Sequence, residues 1–153
     1  MLKYEDADEV FELCKKNELY YKHCPPMATK ESILEDMNAL PPGKSMEDKY
    51  YIGYFNENNL IALMDFINSY PEEKTAFIGF FMTDSSIQNR GIGTKIIEEL
   101  VEYLKSQDYE EMRLGWVKGN IQAENFWKKN GFEVIDKVMG KDGLEFAMAK
   151  RII

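Results

Sequence analysis

The chain has 153 residues, 44% of them hydrophobic and 30% charged, with 19 basic and 27 acidic side chains giving a formal net charge of −8. That length suits one domain, residues 1–153, with a sizeable core, and the acidity argues against nucleic acid and anionic membrane as partners while fitting a cationic small substrate. Acidic clusters occupy the first twenty residues, where a secretory signal needs an apolar run, and the longest wholly apolar run is the five residues Leu60–Met64; a cytoplasmic protein with no membrane span is expected.

Residues 5–16 read as an amphipathic helix. Ala7, Val10, Phe11 and Cys14 share one stripe, and Glu5, Asp6, Asp8 and Glu9 sit in the first turns, where the helix dipole favours anions. Residues 17–28 (NELYYKHCPPMA) read as irregular and aromatic. A second helix is predicted over 30–39, with Ile33, Leu34 and Met37 inward and Pro41-Pro42-Gly43 as its stop. Residues 50–55 and 60–67 form a predicted hairpin around Asn56–Asn59, and 68–73 a turn. A β-branched and aromatic strand over 74–83 leads through a glycine-rich turn into a helix over 94–106, whose Ile96, Ile97, Leu100, Val101 and Leu104 recur at helical spacing. A strand over 111–118 follows. A short helix then carries Ala123, Phe126 and Trp127 inward and ends at Asn130-Gly131, with Lys128 and Lys129 in its last turn. Strands 132–139 and 144–150 flank a hairpin turn at Gly140–Gly143. This order predicts a mixed sheet with helices on both faces.

Several chemistries are disfavoured at once. Two cysteines make no disulfide framework, and Cys14 falls on the buried helical stripe. His23 with Cys14 and Cys24 would lack a fourth ligand and any usual spacing, so no metal is expected. A hydrolase triad would have to use His23, and no G-x-S-x-G elbow is present.

The turn Gln88-Asn89-Arg90-Gly91-Ile92-Gly93 carries the strongest signal. A glycine turn opening a helix leaves backbone N–H groups free, adds the positive end of the dipole, and lets a ligand approach without a Cβ in its way, which suits a phosphate. It is not the dinucleotide fingerprint, because Ile96 stands where a third glycine is needed. Nor is there a P-loop: Gly43-Lys44-Ser45 has Asn38 at the position of its first glycine.

About thirty residues after Gln88 comes N-x-x-A-x-x-F-W-x-x-x-G-F, from Asn120 to Phe132. Together the two patterns closely resemble the GNAT acyltransferase superfamily over residues 50–150. The resemblance implies a mixed α/β fold, with a central, mostly antiparallel sheet of six to seven strands and helices on both faces. The family usually opens with a strand, for which only Met1–Tyr4 are available, so that strand is very short or absent here. The resemblance also implies acetyl-CoA as cofactor. Its pyrophosphate would lie on Gln88, Asn89, Arg90, Gly91, Ile92, Gly93 and Thr94. Its pantetheine would run as an added strand along Phe81, Met82 and Thr83, with a backbone N–H near Met82 facing the thioester oxygen. Asn120 would donate and accept hydrogen bonds to the pantetheine. Phe126 and Trp127 belong to the same region, although core packing also accounts for Phe126.

The implied activity is acetyl transfer to a primary amine of a small molecule or peptide. A CoA-binding regulatory module without efficient catalysis is the alternative, and a homodimer is the one oligomer entertained. Two departures from the family pattern leave the acid and base open. Trp127 stands where many relatives have a proton-donating tyrosine, and Tyr20, Tyr21, Tyr50, Tyr51, Tyr54 and Tyr70 are all available instead. Residues 74–83 lack the carboxylate that relatives often use as base. The unusual acidic residue is Asp65, inside LIALMDFI and apolar on both faces by alternation. Three roles are open to it: bonding loop backbone near Tyr70-Pro71, binding a cationic acceptor, or acting as general base. The acceptor pocket is expected within 17–45, from Tyr20, Tyr21, His23 and Met27.

Overall fold

A computed structural model describes residues 1–140 and 142–153. Lys141, in the predicted turn Gly140–Gly143, lies outside the described residues. The elements in chain order are α1 (Ala7–Lys15), α2 (Glu18–His23), α3 (Lys30–Asn38), β1 (Lys49–Asn56), β2 (Asn59–Ile67), β3 (Thr75–Thr83), α4 (Ile92–Ser106), β4 (Glu111–Val117), α5 (Ile121–Lys129), β5 (Glu133–Met139) and β6 (Glu145–Ile152).

One expectation changes, and one left open is resolved. The stretch 17–28 is not wholly irregular, because Glu18–His23 forms α2. Its two tyrosines supply the reason: Tyr20 packs edge-on against Phe80 at 5.3 Å and against Tyr21 at 4.9 Å, so tertiary contact holds a helix too short to stand alone. At the N-terminus no strand forms among the described residues. The Leu2 N–H donates to Tyr51 O at 2.8 Å, Leu2 is buried, and a single 3-10 turn, Tyr4–Asp6, then leads into α1.

The described strands form one sheet in the order β1-β2-β3-β4-β6-β5. Only β3 and β4 run parallel. One face of the sheet packs Leu63 and Met82 against Val10 and Leu13 of α1 and Ile33 and Met37 of α3. The other packs Met64, Ile78, Leu114 and Trp116 against Ile97, Val101 and Leu104 of α4 and Trp127 of α5. Helices therefore cover both faces, in agreement with the expected fold class.

One irregularity positions the site. Asp65 pairs with Phe80 but Phe66 pairs with Ile78, so Gly79 is the extra residue of a β-bulge in β3. A Cβ on Gly79 would lie 3.1 Å from Asp65 Oδ2, closer than a side chain sits comfortably. The parallel ladder covers only Thr75–Ile78 against Glu111–Leu114. Past the bulge the two strands diverge, and a wedge opens between them.

Candidate functional site

The wedge is lined on one side by the free edge of β3. The Asp84 N–H donates to Ile61 O at 2.7 Å. By the alternation of an antiparallel ladder, Leu63–Met82 is then also a hydrogen-bonded pair, whereas Ala62–Thr83 and Met64–Phe81 are not. Met82 thus spends its backbone groups on β2. Phe81 directs both of its groups into the opening, and Thr83 its N–H, while the Thr83 carbonyl accepts from Asn17 and Gln88. The free N–H near Met82 belongs to one of these two residues.

At the mouth of the wedge, α4 begins with Gly91 as N-cap at φ 77°, with no side-chain cap. Its first-turn amides are left open beside the positive end of the dipole. Asn89 also takes the left-handed conformation, at φ 64°. A Cβ built on Gly91 meets nothing within 4 Å, so the turn faces open space. Gly93 answers a different need: a Cβ there would lie 3.1 Å from the Phe126 ring, so the glycine lets α5 close on α4.

The opposite wall is α5. Asn120, buried at 6% exposure, caps this helix by accepting from the Ala123 N–H at 3.1 Å. Its carbonyl oxygen spends one lone pair on the cap, and its amide N–H groups remain for a ligand. Phe126 stacks on Phe81 at 5.9 Å. Trp127 lies between Phe81, Phe126 and Phe132 and is 7% exposed, so its indole is wall and core together.

These walls enclose a cleft of about 420 Å³. It brings together Phe81, Met82, Thr83, Gln88, Asn89, Gly91, Gly93, Thr94, Asn120, Phe126 and Trp127 of the expected cofactor set, with Tyr20 of the expected acceptor set in the same lining. Two members of the expected cofactor set are not in the lining: Ile92 packs on the α4 core, and Arg90 is exposed to solvent. Tyr21 stands behind Tyr20. Burial, with the Cys24 thiol close by, pushes the Tyr20 phenol far above its ordinary range, so it keeps its proton. Asn17 and Gln122 also line the cleft, beyond the expected set. The only local signal for Asn17 is a polar residue at a helix junction.

Asp65 does not line the cleft. It lies across the β-bulge, on the α1–α3 side of the sheet, with Oδ2 accepting from Lys49 Nζ at 2.8 Å. Lys49 also donates to the Ala39 carbonyl at 2.9 Å, and its side chain is 1% exposed. The partner is therefore a lysine rather than the Tyr70-Pro71 loop. Burial pushes the Asp65 carboxyl above the usual range against the pull of Lys49. Burial, and then the Asp65 charge, push nearby Asp36 up as well.

A family model described as Acetyltransferase (GNAT) family matches residues 10–132. The chain belongs to this family. Among its relatives, the uncharacterized protein YxbD of Bacillus subtilis (strain 168) is 28% identical over 79 residues, which are 52% of this chain and 46% of that protein. The match thus spans about half the length of that relative. The GNAT fold is similar to that of an acetyltransferase from Thermus thermophilus, at TM-score 0.81 and 17% identity over 99% of this chain and 94% of that one. It is also similar to the PaiA N-acetyltransferase of Thermoplasma acidophilum in complex with coenzyme A, at TM-score 0.73 and 21% identity over 99% and 96%. Coenzyme A fits this GNAT cleft on two counts: a helix N-terminus opening on empty space, and a strand edge with unpaired amides. Among the described residues no helix is long and apolar enough to cross a membrane.

Proposed function

We propose that this GNAT domain is an acetyl-CoA-dependent N-acetyltransferase that moves the acetyl group directly to a primary amine of a small cationic acceptor. The observation that carries this reading is the uncapped, left-handed glycine turn of α4 at the mouth of the β3–β4 wedge. Acetyl-CoA, when bound, supplies an acetyl group activated as a thioester. The turn from Gln88 to Thr94 holds the diphosphate through backbone N–H groups. Phe81 and Thr83 pair with the pantetheine as an edge strand does, and one of their N–H groups donates to the thioester oxygen, favouring the charge that develops on it. Asn120 adds its amide N–H. Tyr20, held protonated by burial, donates a hydrogen bond toward the departing sulfur; the same burial makes the phenol a poor acid, so the proton that completes the thiol comes from water.

The described lining of the cleft contains no carboxylate and no histidine. The acceptor amine therefore gives its proton to water rather than to a residue of the wall. The pairing of Asp65 with Lys49 supports a structural role for it rather than a catalytic one. The net charge of −8 supports a cationic acceptor, drawn to an acidic surface. Neither the family nor the similar folds favour the alternative of a CoA-binding module without catalysis.

Thermal melts and an amine panel test the proposal. Acetyl-CoA at about a hundred times its Kd should stabilise the native state by roughly 2.7 kcal/mol. Free thiol should then accumulate with at least one cationic amine in the panel. A thermal shift without thiol release from any amine would favour the binding module, and no shift at all would remove the cofactor from the cleft.

A further inference from the structure

Five side chains tie the α1–α2 junction, the turn after β3 and the start of α5 together. Asn17 Oδ1 accepts from Gln88 Nε2 at 2.7 Å, and Asn17 Nδ2 donates to Leu13 O at 3.0 Å and to Thr83 O at 3.1 Å. Gln88 Nε2 also reaches Thr83 O at 3.3 Å, and Gln88 Oε1 accepts from Gln122 Nε2 at 3.1 Å. One residue earlier, Lys16 pairs with Asp84 at 3.3 Å. Asn17 is 8% exposed, and both its amide hydrogens and its oxygen are engaged. Only a primary amide has two donors and an acceptor on so short a stem, since aspartate lacks the donors and leucine lacks both.

The segment these bonds hold has little else to hold it. Gln88 follows a single 3-10 turn, Ser85–Ile87, and precedes the two left-handed residues Asn89 and Gly91. On its other side, Asn17 is the N-cap position of α2, the helix that carries Tyr20. One buried amide is thus fastened both to the turn proposed to hold the diphosphate and to the wall proposed to face the acceptor.

We propose that Asn17 is a positioning residue: acting through Gln88, it pre-orders the cofactor turn and ties it to the start of α2. This deepens the acetyl-CoA reading of the cleft and rests on it. With the relay intact, the turn is already in its binding shape. Without it, the ligand must order residues 88–91 itself, at a cost in affinity.

The test uses Asn17→Leu, Gln88→Leu and the double variant, with acetyl-CoA as probe in calorimetric titrations. Each single variant should weaken acetyl-CoA binding on the order of tenfold, the effect of losing one or two ordinary hydrogen bonds. The double variant should bind no more weakly than the singles, because both substitutions cut one relay. In Asn17→Leu the loss should appear in the KM for acetyl-CoA rather than in kcat, since a positioning role acts before the chemical step. Backbone NMR order parameters of residues 89–94 should fall in both ligand-free single variants, while those of α4 beyond its first turn are unchanged. Independent effects that multiply in the double variant, wild-type affinity in Asn17→Leu, or unchanged order parameters of the turn would each overturn the proposal. Should Asn17→Leu fail to fold, Gln88→Leu cuts the same bond from the turn side, and unchanged order parameters or affinity in that variant overturn the proposal equally. Failure of the wild type to bind acetyl-CoA would instead sink the functional reading, and the order parameters would still decide whether Asn17 orders the turn.

Discussion

Replacing Lys49 with methionine should make the stability of this fold strongly pH-dependent. Lys49 and Asp65 are 2.8 Å apart, with side chains 1% and 15% exposed. Lys49→Met keeps the volume and removes the ammonium, leaving the Asp65 carboxyl buried with Asp36 as its neighbouring acid and Tyr51 across the β1–β2 ladder. Breaking a buried pair from one side costs about 3–5 kcal/mol. Protonation sets a ceiling, because the carboxyl can discharge at about 1.4 kcal/mol per pH unit above its unfolded value near 3.9; that gives about 4 kcal/mol at pH 7 and about 1.5 at pH 5. The direction follows from linkage. Burial already raises the folded pKa of Asp65, and removing Lys49, which lowers it, raises it further. A carboxyl with a raised folded pKa contributes stability that is fully present below its unfolded pKa and lost as pH rises through the folded one. Melts of Lys49→Met should therefore approach the wild type near pH 5 and fall furthest behind at pH 8, by about 2–4 °C per kcal/mol. Lys49→Met combined with Asp65→Leu should regain most of the loss and lie parallel to the wild type across that range, since apolar groups of similar size often replace a buried pair without penalty. A Lys49→Met deficit that stays constant from pH 5 to pH 8, or no deficit at pH 8, would refute this account of the pair.

Other consequences follow from the same geometry. Gly91→Val places a β-branched residue at φ 77° and fills the open turn, so the acetyl-CoA-induced rise in melting temperature should vanish; a surviving rise would locate the cofactor elsewhere. Asp65→Asn should leave turnover per folded molecule within about twofold and acetyl-CoA affinity unchanged, whereas a loss on the order of a hundredfold would make Asp65 a general base after all. With no acid or base in the described cleft lining, kcat/KM should climb with pH toward the acceptor amine's own pKa, about 10.4 for a lysine-like amine. A plateau reached near pH 6 or 7 would reveal a base from the protein. The same ratio should fall as salt screens the acidic surface, over roughly 8 Å at physiological ionic strength; a salt-independent ratio would count against a cationic acceptor.

What could be read from the chain was what is local. The glycine turn announces itself because its chemistry lies within six consecutive residues, and the α4 stripe from Ile96 to Leu104 is plain periodicity. Asp65 stands out for the same reason, as one charge in an apolar strand. Its partner does not, because Lys49 opens a strand sixteen residues away and looks like any solvated lysine until α3 ends above it and offers the Ala39 carbonyl. Asn17 is equally silent: its bonds to Thr83 and Gln88 span sixty-six and seventy-one residues, and nothing in its neighbours foretells them. The helix α2 escapes a local reading because its order comes from packing on Phe80 rather than from propensity.

The bulge shows how one residue sets the chemistry of the whole wedge. Side-chain alternation through TAFIGFFMT gives no warning of it beyond the glycine itself. Yet with Gly79 as the supernumerary residue, the pairing of β2 with β3 shifts by one between Phe66–Ile78 and Asp65–Phe80. Before the shift, β3 shares its far edge with β4; after it, the strands part and that edge is bare. A strand without the extra residue would present a different set of amides, because backbone groups alternate sides along it. The bulge therefore does two things in one step: it ends the parallel ladder, and it turns the N–H groups of Phe81 and Thr83, rather than that of Met82, toward the open edge. The Lys49–Asp65 pair sits directly across from this point, near enough that a Cβ at residue 79 would crowd the Asp65 carboxylate. A buried ion pair is weak evidence for stability by itself. Here its position is specific: it lies on the α1–α3 face of β2 beside Gly79, at the point where the far edge of β3 is left bare.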